Sequence, residues 1–395
     1  MLLIVSENAR GSRALANLVR EMSLSLSAFS DAGKLAKLMA GEARRIVLIG
    51  EKDFRDDVVD VLAEAGERLR FGVIVAADRG NLRSAAGAEL VDRLTELPLV
   101  EWAGENFDYD RLAAAARACR RKLLKVAESD LRRAFENFEF MVRYQPKVER
   151  SKDGDAEWAT CEAEALVRWR HPQHGLIGPL EFLPELEAFG LMPKLTEFVL
   201  RKAAAQLKDW RKQGLVLNGC INLASSQLTD EQLGEYYAGI VREFKVEPEC
   251  FTFEIVEQDL SDPEAPHLRA LEGLREAGFR LCLDDFRVAA ESLGTFEKLP
   301  FDEIKIHASA VRRAQADPVA GKVLAAVVGL AHNLGMTVCA EGIEHEETFE
   351  FLCMIECDKM QGFLISEAVM PEIVRKVYSA GEDAEDAEDA EENVA

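Results

Sequence analysis

The first 120 residues alternate between short apolar runs and amphipathic stretches of helical spacing. Apolar runs of strand length occur at 2–6, 24–30, 45–50, 71–77 and 99–102. Strand–helix alternation repeated this often in so short a span is typical of a parallel sheet covered on both faces. Residues 1–120 are therefore predicted to form a doubly wound (βα)5 α/β domain.

A second series of apolar runs follows, again separated by helical patterns. The runs are VRYQPKV, CEAEALVRW, CINLAS, FTFEIVE, RLCLDDF, EIKIH, TVCAEGI and KMQGFLI, and they begin at residues 142, 161, 220, 251, 280, 303, 337 and 359. Eight strand–helix units in about 250 residues match the size of a (β/α)8 TIM-like barrel. The barrel is predicted to span residues 131–378.

Two further segments complete the predicted organisation. From Arg117 the sequence keeps helical spacing without Gly or Pro, which predicts a connecting helix over 121–135 that enters the barrel domain. Residues 381–395 form a low-complexity acidic repeat that cannot bury a core, so this tail is predicted to be disordered.

Charge and hydropathy exclude several classes of partner. Lys and Arg number 48 against 71 Asp and Glu, a formal net charge of −23. Such a surface repels polyanions, so binding to DNA or to an anionic membrane is disfavoured. No stretch approaches the ~20 uninterrupted apolar residues of a membrane helix, and the first residues lack the basic start of a signal peptide. We therefore expect a cytoplasmic protein without a membrane span.

Polar side chains recur inside or at the ends of the predicted barrel strands. They are Gln145, Glu164, Asn222, Glu254, Asp284, Asp285, Lys305, Glu341 and Gln361. An unpaired carboxylate in a buried strand is costly, so this many in one core require compensation. Residues at the carboxyl ends of barrel strands converge on one rim even when they are distant in sequence. Oxygen-rich ligands with few His favour a hard cation such as Mg²⁺ or Mn²⁺.

The motifs in these strands resemble those of the EAL-domain family. EAL stands at 164–166, DDF at 284–286 and AEGIE at 340–344, with INLAS, FEIVE, LPFDEIKI and QGFLIS in the same order and spacing. The resemblance covers nearly all of 131–375. EAL domains are barrels that hydrolyse cyclic di-GMP to linear pGpG with Mg²⁺ or Mn²⁺ in bacterial second-messenger signalling, which is the activity that the resemblance implies.

Position by position, the resemblance implies a two-metal site. Its first cation would be held by Glu164, Asn222, Glu254 and Asp284, and its second by Asp284, Asp285 and Glu341. Two cations of this kind clamp the attacking and leaving oxygens of a phosphodiester. The catalytic residues implied are Glu341, which would orient or deprotonate the attacking water, Lys305, which would hold that water and offset developing charge, and Glu164.

The same resemblance implies the residues that bind substrate and support the site. Arg168 would grip a phosphate, Gln145 and Leu166 would line the nucleotide pocket, and Gln361 would lie beside the metal centre. Glu257 would anchor the loop after the fifth strand, and Glu344 would support the metal centre. Taken singly, Arg168 fits a salt bridge, Lys305 and Gln361 fit ordinary strand ends, and the Asp pair fits a helix cap.

The N-terminal pattern resembles the receiver domain of two-component response regulators, in pattern more than in motif. A working receiver has a phosphorylatable Asp ending its third strand, Thr or Ser ending its fourth and Lys ending its fifth. Here these places hold Gly50, Ala77 and Ala103-Gly104. Aspartyl phosphorylation is therefore not expected. The domain is predicted to be a pseudo-receiver that mediates dimerisation or docks a protein partner, with ligand sensing as the alternative.

Two departures from the EAL pattern leave alternatives open. The loop after the fifth strand reads DDFRVAAESL, whereas the family's loop is similar to DDFGTGYSSL. Residues 287–290 therefore cannot adopt the backbone conformation of a Gly-rich loop without strain. His307 stands where an Asp is expected, either as a prop for a carboxylate or as an ordinary surface histidine. Activity is thus expected to be weak or conditional.

The alternatives are a catalytically inactive EAL domain that serves as a cyclic di-GMP receptor or protein-interaction module, and an unrelated metal-dependent barrel enzyme. The resemblance also implies a homodimer formed through the helices near the altered loop.

Overall fold

A computed structural model describes most of the chain. The described residues are 2–6, 25–39, 45–50, 56–66, 71–76, 100–102, 112, 114–116, 118–119, 124, 126–150, 158–260, 265–288 and 300–379. The predicted tail at 381–395 and loop positions 289–290 lie outside them. Contacts divide the chain into two compact units, Met1–Met141 with Arg168–Phe189, and Val142–Val167 with Gly190–Ala395. The domain boundaries proposed from the sequence stay predictions.

The N-terminal strands form a parallel sheet. The strands are β1 (Leu2–Ser6), β2 (Ser25–Phe29), β3 (Arg45–Gly50), β4 (Phe71–Ala76) and β5 (Val100–Trp102), and the helices are α1 (Ala32–Met39) and α2 (Asp56–Gly66). Neighbouring strands pair in the order β2-β1-β3-β4-β5, all parallel. Ile4, Phe29, Val47 and Val73 belong to its buried core. This strand order is that of a doubly wound domain and is compatible with the predicted receiver-like fold.

The predicted connecting helix is not continuous. Helix α3 spans Glu128–Glu136, and Ala127 before it has an extended backbone with φ −96° and ψ 159°. The Ala127 N–H donates to Asp130 Oδ2 at 3.1 Å, which satisfies an N-terminal donor of the helix. The prediction of one unbroken helix is therefore wrong at 126–127, because the side chain of Asp130 starts a new helix there.

The remaining strands form the barrel. They are β6 (Phe140–Arg150), β7 (Trp158–His171), β8 (Gly175–Ile177), β9 (Asn218–Asn222), β10 (Phe251–Val256), β11 (Arg280–Phe286), β12 (Glu303–Ile306), β13 (Thr337–Ala340) and β14 (Lys359–Met360). The order is β6-β14-β13-β12-β11-β10-β9-β7-β8, and an additional β6–β7 pairing closes eight strands into a barrel. This confirms the predicted TIM-like fold.

Two features of the barrel depart from eight uniform strand–helix units. Strand β6 runs antiparallel to β14, whereas the strands from β7 through β9 to β14 pair in parallel. Strand β8 is a short antiparallel partner of the end of β7. Because β6 is reversed, its residues approach the carboxyl-terminal rim of the other strands as their numbers fall.

Helices connect the parallel strands. They are α4 (Leu183–Ala188), α5 (Met192–Lys212), α6 (Leu233–Glu243), α7 (Ala265–Glu276), α8 (Ala308–Ala316), α9 (Pro318–Asn333), α10 (Glu346–Met354) and α11 (Pro371–Ser379). The buried face of α5 includes Leu200, Ala203, Leu207 and Trp210, which recur at the spacing of one helix face. Among the described helices, none combines the length and apolarity needed to cross a membrane.

Candidate functional site

The ammonium group of Lys305 lies at the centre of a carboxylate cluster. Strand β12 is buried along its whole length, and Lys305 is 1% exposed. Its Nζ lies 2.7 Å from Glu341 Oε1, 3.1 Å from Glu164 Oε2, 3.1 Å from Glu254 Oε2 and 3.6 Å from Asp284 Oδ1. Residues separated by up to 177 positions in sequence therefore meet around one cation at the carboxyl ends of the strands.

Glu164 is held by three donors from three different strands. Its Oε1 accepts a hydrogen bond from Asn222 Nδ2 at 2.7 Å, and its Oε2 accepts from Gln361 Nε2 at 2.9 Å as well as from Lys305. Burial raises the pKa of Glu164, but the lysine charges and the two amides outweigh it and hold the pKa at about 2. Glu164 is thus a fixed, ionised carboxylate.

Asp284 and Asp285 act together because of a β-bulge. Adjacent residues of a regular strand point to opposite faces. Here the register between β11 and β12 shifts between Leu283 and Phe286, and Asp285 has φ +58°, a conformation that Asp tolerates. As a result Asp284, Asp285 and Glu341 each offer an oxygen within 4.8 Å of the others.

The cluster carries more negative charge than its lysines neutralise. Burial and the neighbouring Glu164 raise the pKa of Glu254 to about 7. Burial and Glu341 likewise raise the pKa of Asp284 to about 7, and burial raises that of Glu341. The carboxylates in turn hold the pKa of Lys305 well above its ordinary value although burial alone would lower it. A bound divalent cation would therefore stabilise the ionised form of these carboxylates.

The donor set fits a hard divalent cation. Carboxylate and amide oxygens are the ligands that Mg²⁺ and Mn²⁺ prefer. Gln361 is 3% exposed, and its Oε1 is a buried acceptor with no hydrogen-bond partner among the described residues, while its Nε2 is bonded to Glu164. A divalent cation or its bound water would satisfy a buried acceptor of this kind beside an anionic cluster.

The predicted substrate and support residues lie on barrel strands or in the segments that follow them, but their roles stay predictions. Leu166 and Arg168 follow Glu164 at two-residue spacing on β7, and both are half-buried. Gln145 lies on the reversed strand β6 and donates from Nε2 to the Ser366 carbonyl at 3.1 Å. Glu257, which begins a short 3-10 helix after β10, is half-buried.

Glu344, the second predicted support residue, follows β13 and is also half-buried. Its predicted role rests on the resemblance of AEGIE at 340–344 to the family motif and stays a prediction.

The two departures from the motif pattern take up defined positions. Val288 has φ +57°, a strained conformation for a β-branched residue, as expected for a loop that lacks glycines. Arg287 is exposed and lines a groove with Val288, Ala310 and Val323.

His307 caps the N-terminus of α8, where its Nδ1 accepts from Ser309 N at 3.2 Å. Its Nε2 lies 3.8 Å from Asp285 Oδ1. His307 thus supplies the capping acceptor that an Asp would supply at this position.

A second layer of buried charges lies inside the barrel, and the sequence analysis did not single it out. Lys147, Glu162, Glu303 and Lys359 are each at most 1% exposed. Lys359 Nζ contacts Glu162 Oε1 at 2.5 Å and Glu303 Oε2 at 2.7 Å. The signal that could have revealed the layer is a charged residue inside each apolar strand run.

The chain is similar to proteins that share these motifs. The model of the EAL domain family matches residues 128–368, more than half of the chain. RocR, a cyclic di-GMP phosphodiesterase of Pseudomonas aeruginosa, is 32% identical over 279 residues, which cover 68% of this chain and 70% of that protein.

A second relative is MucR of Pseudomonas aeruginosa, a bifunctional diguanylate cyclase/cyclic di-GMP phosphodiesterase. It is 33% identical over 244 residues, which cover 62% of this chain and 35% of MucR. The chain spans between 30% and 39% of the length of three of its curated relatives, MucR included.

Two solved structures are also similar to this chain. The MucR phosphodiesterase in complex with c-di-GMP has a TM-score of 0.57 and 32% identity, covering 62% of this chain and 98% of that one. The FimX EAL domain from Pseudomonas aeruginosa bound to c-di-GMP has a TM-score of 0.54, covers 60% of this chain and 94% of that one, and at 20% identity supports the fold alone.

The raised pKa of Asp284 predicts a pH-dependent stability of the metal-free protein. Because the folded pKa of about 7 exceeds the ordinary 3.8, ionisation opposes folding, and stability falls as the pH rises from about 4 to 7 and then levels. The loss is on the order of 1 kcal/mol per pH unit. Melting temperatures measured with a chelator between pH 5 and pH 8 should fall by a few degrees in the native protein, and by less in Asp284→Asn, in which, among the carboxylates of the cluster, only Glu254 and Glu341 still have raised pKa values.

Asp209→Asn, on the exposed surface of α5, is the matched control and should keep the native pH dependence. An Asp284→Asn variant with the full native decline would contradict this assignment of the proton.

Proposed function

The chain belongs to the EAL domain family, and from this membership we propose that it is a metal-dependent phosphodiesterase that hydrolyses cyclic di-GMP to linear pGpG. The observation that carries the proposal is the convergence of Glu164, Glu254, Asp284 and Glu341 on Lys305. The cyclic di-GMP phosphodiesterase name of RocR and the c-di-GMP bound to the MucR phosphodiesterase support the choice of substrate.

Mg²⁺ or Mn²⁺ is the proposed cofactor, bound at two positions. One position uses Glu164, Asn222, Glu254 and Asp284. The other uses Asp284, Asp285 and Glu341, whose oxygens lie within 4.8 Å of one another. When bound, the cations supply Lewis acidity and charge neutralisation for the phosphodiester.

Glu341 and Lys305 are the proposed catalytic pair of side chains. The raised pKa of Glu341 makes this carboxylate a better proton acceptor near neutral pH than an ordinary Glu, as a general base requires. Lys305 lies 2.7 Å from it and can hold the attacking water while offsetting the charge that develops on the phosphate. Glu164, which is ionised and fixed by three donors, keeps its orientation throughout.

Substrate is proposed to lie across the rim above this cluster. Arg168 would bind a phosphate through its guanidinium, and Leu166 and Gln145 would line the nucleotide pocket. Gln361 would contribute through its orphan Oε1 beside the metal centre. Glu257 and Glu344 are proposed to support the loops that follow their strands.

The altered loop favours a second candidate function. Val288 at φ +57° holds backbone strain in a loop where the family pattern has glycine on either side of this position, so the loop has a less relaxed path next to Asp285. A domain that binds cyclic di-GMP without turnover, as a receptor or a protein-interaction module, would fit this feature. The exposed position of Arg287 supports turnover instead, because its side chain lines a groove with α8 and α9 residues.

The phosphodiesterase proposal predicts that the purified protein linearises cyclic di-GMP in Mg²⁺ or Mn²⁺. Glu341→Gln should lower kcat by roughly 10²–10⁴-fold because it removes the proton acceptor. Glu164→Ala should abolish turnover because it removes a ligand of the first cation. Chromatographic detection of pGpG measures the rates, and calorimetry measures nucleotide binding.

Glu346→Gln, an exposed position at the start of α10, is the control and should keep the native rate. Tight nucleotide binding with no turnover at any metal concentration would replace the enzyme by a receptor. Absence of both binding and turnover would indicate a protein-interaction role.

A homodimer is proposed through helix α9. Its outer face carries Val319, Val323 and Leu330, and Leu334 continues this face at the C-cap of the helix; the four residues are 67%, 46%, 36% and 47% exposed. A continuous exposed apolar stripe of this kind is typical of an interaction surface.

The N-terminal domain is further proposed to dock a protein partner rather than to accept a phosphoryl group.

Light scattering should therefore give twice the monomer mass of 43.9 kDa. Leu330→Glu should convert the protein to a monomer because it places a charge in the apolar stripe. Val216→Glu, at an equally apolar position that is 67% exposed outside the stripe, should leave the dimer intact. A native monomer, or a dimer unaffected by Leu330→Glu, would contradict this interface.

A further inference from the structure

A lysine occupies the barrel interior next to the acidic rim. Lys147 lies on β6 and is 0% exposed. Parallel barrels normally fill their interior with branched apolar side chains. A buried ammonium group is costly unless anions surround it closely, so the partners of Lys147 indicate what it does.

The nearest partner of Lys147 is Glu254, a proposed ligand of the first cation. The distance from Lys147 Nζ to Glu254 Oε1 is 2.5 Å. The other carboxylates lie farther from the same ammonium, with Glu162 Oε2 at 3.9 Å and Glu303 Oε1 at 4.0 Å. Only the contact with Glu254 is a short charge-assisted hydrogen bond.

Glu254 is clamped between two lysines, one on each oxygen. Its Oε1 accepts from Lys147, and its Oε2 accepts from Lys305 at 3.1 Å. Two donors on different oxygens fix the plane of a carboxylate as well as its position. Groups that orient metal ligands in this way typically contribute about 10- to 100-fold in metal affinity.

Lys359 provides an internal comparison within the same barrel. It is also 1% exposed, and it bonds Glu162 at 2.5 Å and Glu303 at 2.7 Å. Neither of these carboxylates belongs to the proposed metal site. The two lysines thus share burial and charge pairing, and they differ in that Lys147 holds a proposed ligand.

We propose that Lys147 is a positioning residue that fixes Glu254 for the first divalent cation. The inference deepens the proposed function and rests on it, since it takes Glu254 as a metal ligand. Lys147 touches neither substrate nor cation in this role and acts through the carboxylate of Glu254.

A purely electrostatic role for Lys147 would have the opposite sign. At a pH at which Glu254 is fully ionised, an ammonium group only repels a nearby cation, so without orientation its removal would tighten metal binding. Orientation predicts that its removal weakens metal binding. The direction of the change therefore decides between the two roles.

The test is calorimetric titration of the whole chain with Mn²⁺ in the absence of nucleotide, at an alkaline pH at which Glu254 is ionised. Lys147→Met should weaken Mn²⁺ binding at the first position by about 10-fold or more. The matched variant Lys359→Met should stay within about 3-fold of the native protein, because it disturbs the buried charges without touching Glu254. Near-ultraviolet circular dichroism checks that both variants keep native packing.

If Lys147→Met does not fold, the double variant Lys147→Met with Glu303→Gln is compared with Glu303→Gln alone. This double variant removes one buried charge of each sign and leaves Glu254 without the hydrogen bond from Lys147. The same loss of Mn²⁺ affinity is therefore expected. Native or tighter Mn²⁺ binding in the Lys147 variants would overturn the positioning role alone. Absence of Mn²⁺ uptake by the native protein would overturn the proposed metal site together with the inference.

Discussion

The pairing of buried lysines with buried carboxylates is the interaction on which the barrel and its site both depend. Lys305 contacts four carboxylates at the rim, and Lys147 contacts Glu254 next to them. Without these ammonium groups the acidic side chains would be buried unpaired, at a cost of several kcal/mol each. The pairing is nonetheless incomplete, since Glu254 and Asp284 keep raised pKa values of about 7. In the proposed function, this residual negative charge would give the site its affinity for divalent cations, at the expense of stability in the metal-free protein.

Much of the architecture could be predicted from the sequence, because polar residues inside apolar strand runs are unusual enough to mark the rim. The strand runs and the rim residues Glu164 and Lys305 follow from that signal. The direction of β6 could not be predicted, since an apolar run carries no information on strand polarity. The break before α3 depends on one side-chain cap, that of Asp130. The bulge that aligns Asp284 with Asp285 is a property of strand register, which the local pattern does not encode.

The interior charge layer escaped prediction for a different reason. Its pairs join residues that are far apart in sequence, such as Lys359 and Glu162 with a separation of 197 positions. Each of these residues, considered singly, fits an ordinary strand position.

The structure clarifies the departures from the family motif. His307 keeps the helix cap that an Asp would supply, whereas Val288 carries backbone strain close to the proposed metal ligands Asp284 and Asp285.

The proposed function requires that carboxylates on or directly after four strands, β7, β10, β11 and β13, form one binding site for divalent cations. Anomalous diffraction from crystals soaked in Mn²⁺ tests it most directly. Two anomalous peaks are expected at the rim, one among Glu164, Asn222, Glu254 and Asp284, and one among Asp284, Asp285 and Glu341. Anomalous peaks confined to other surfaces, with none at the rim, would contradict it.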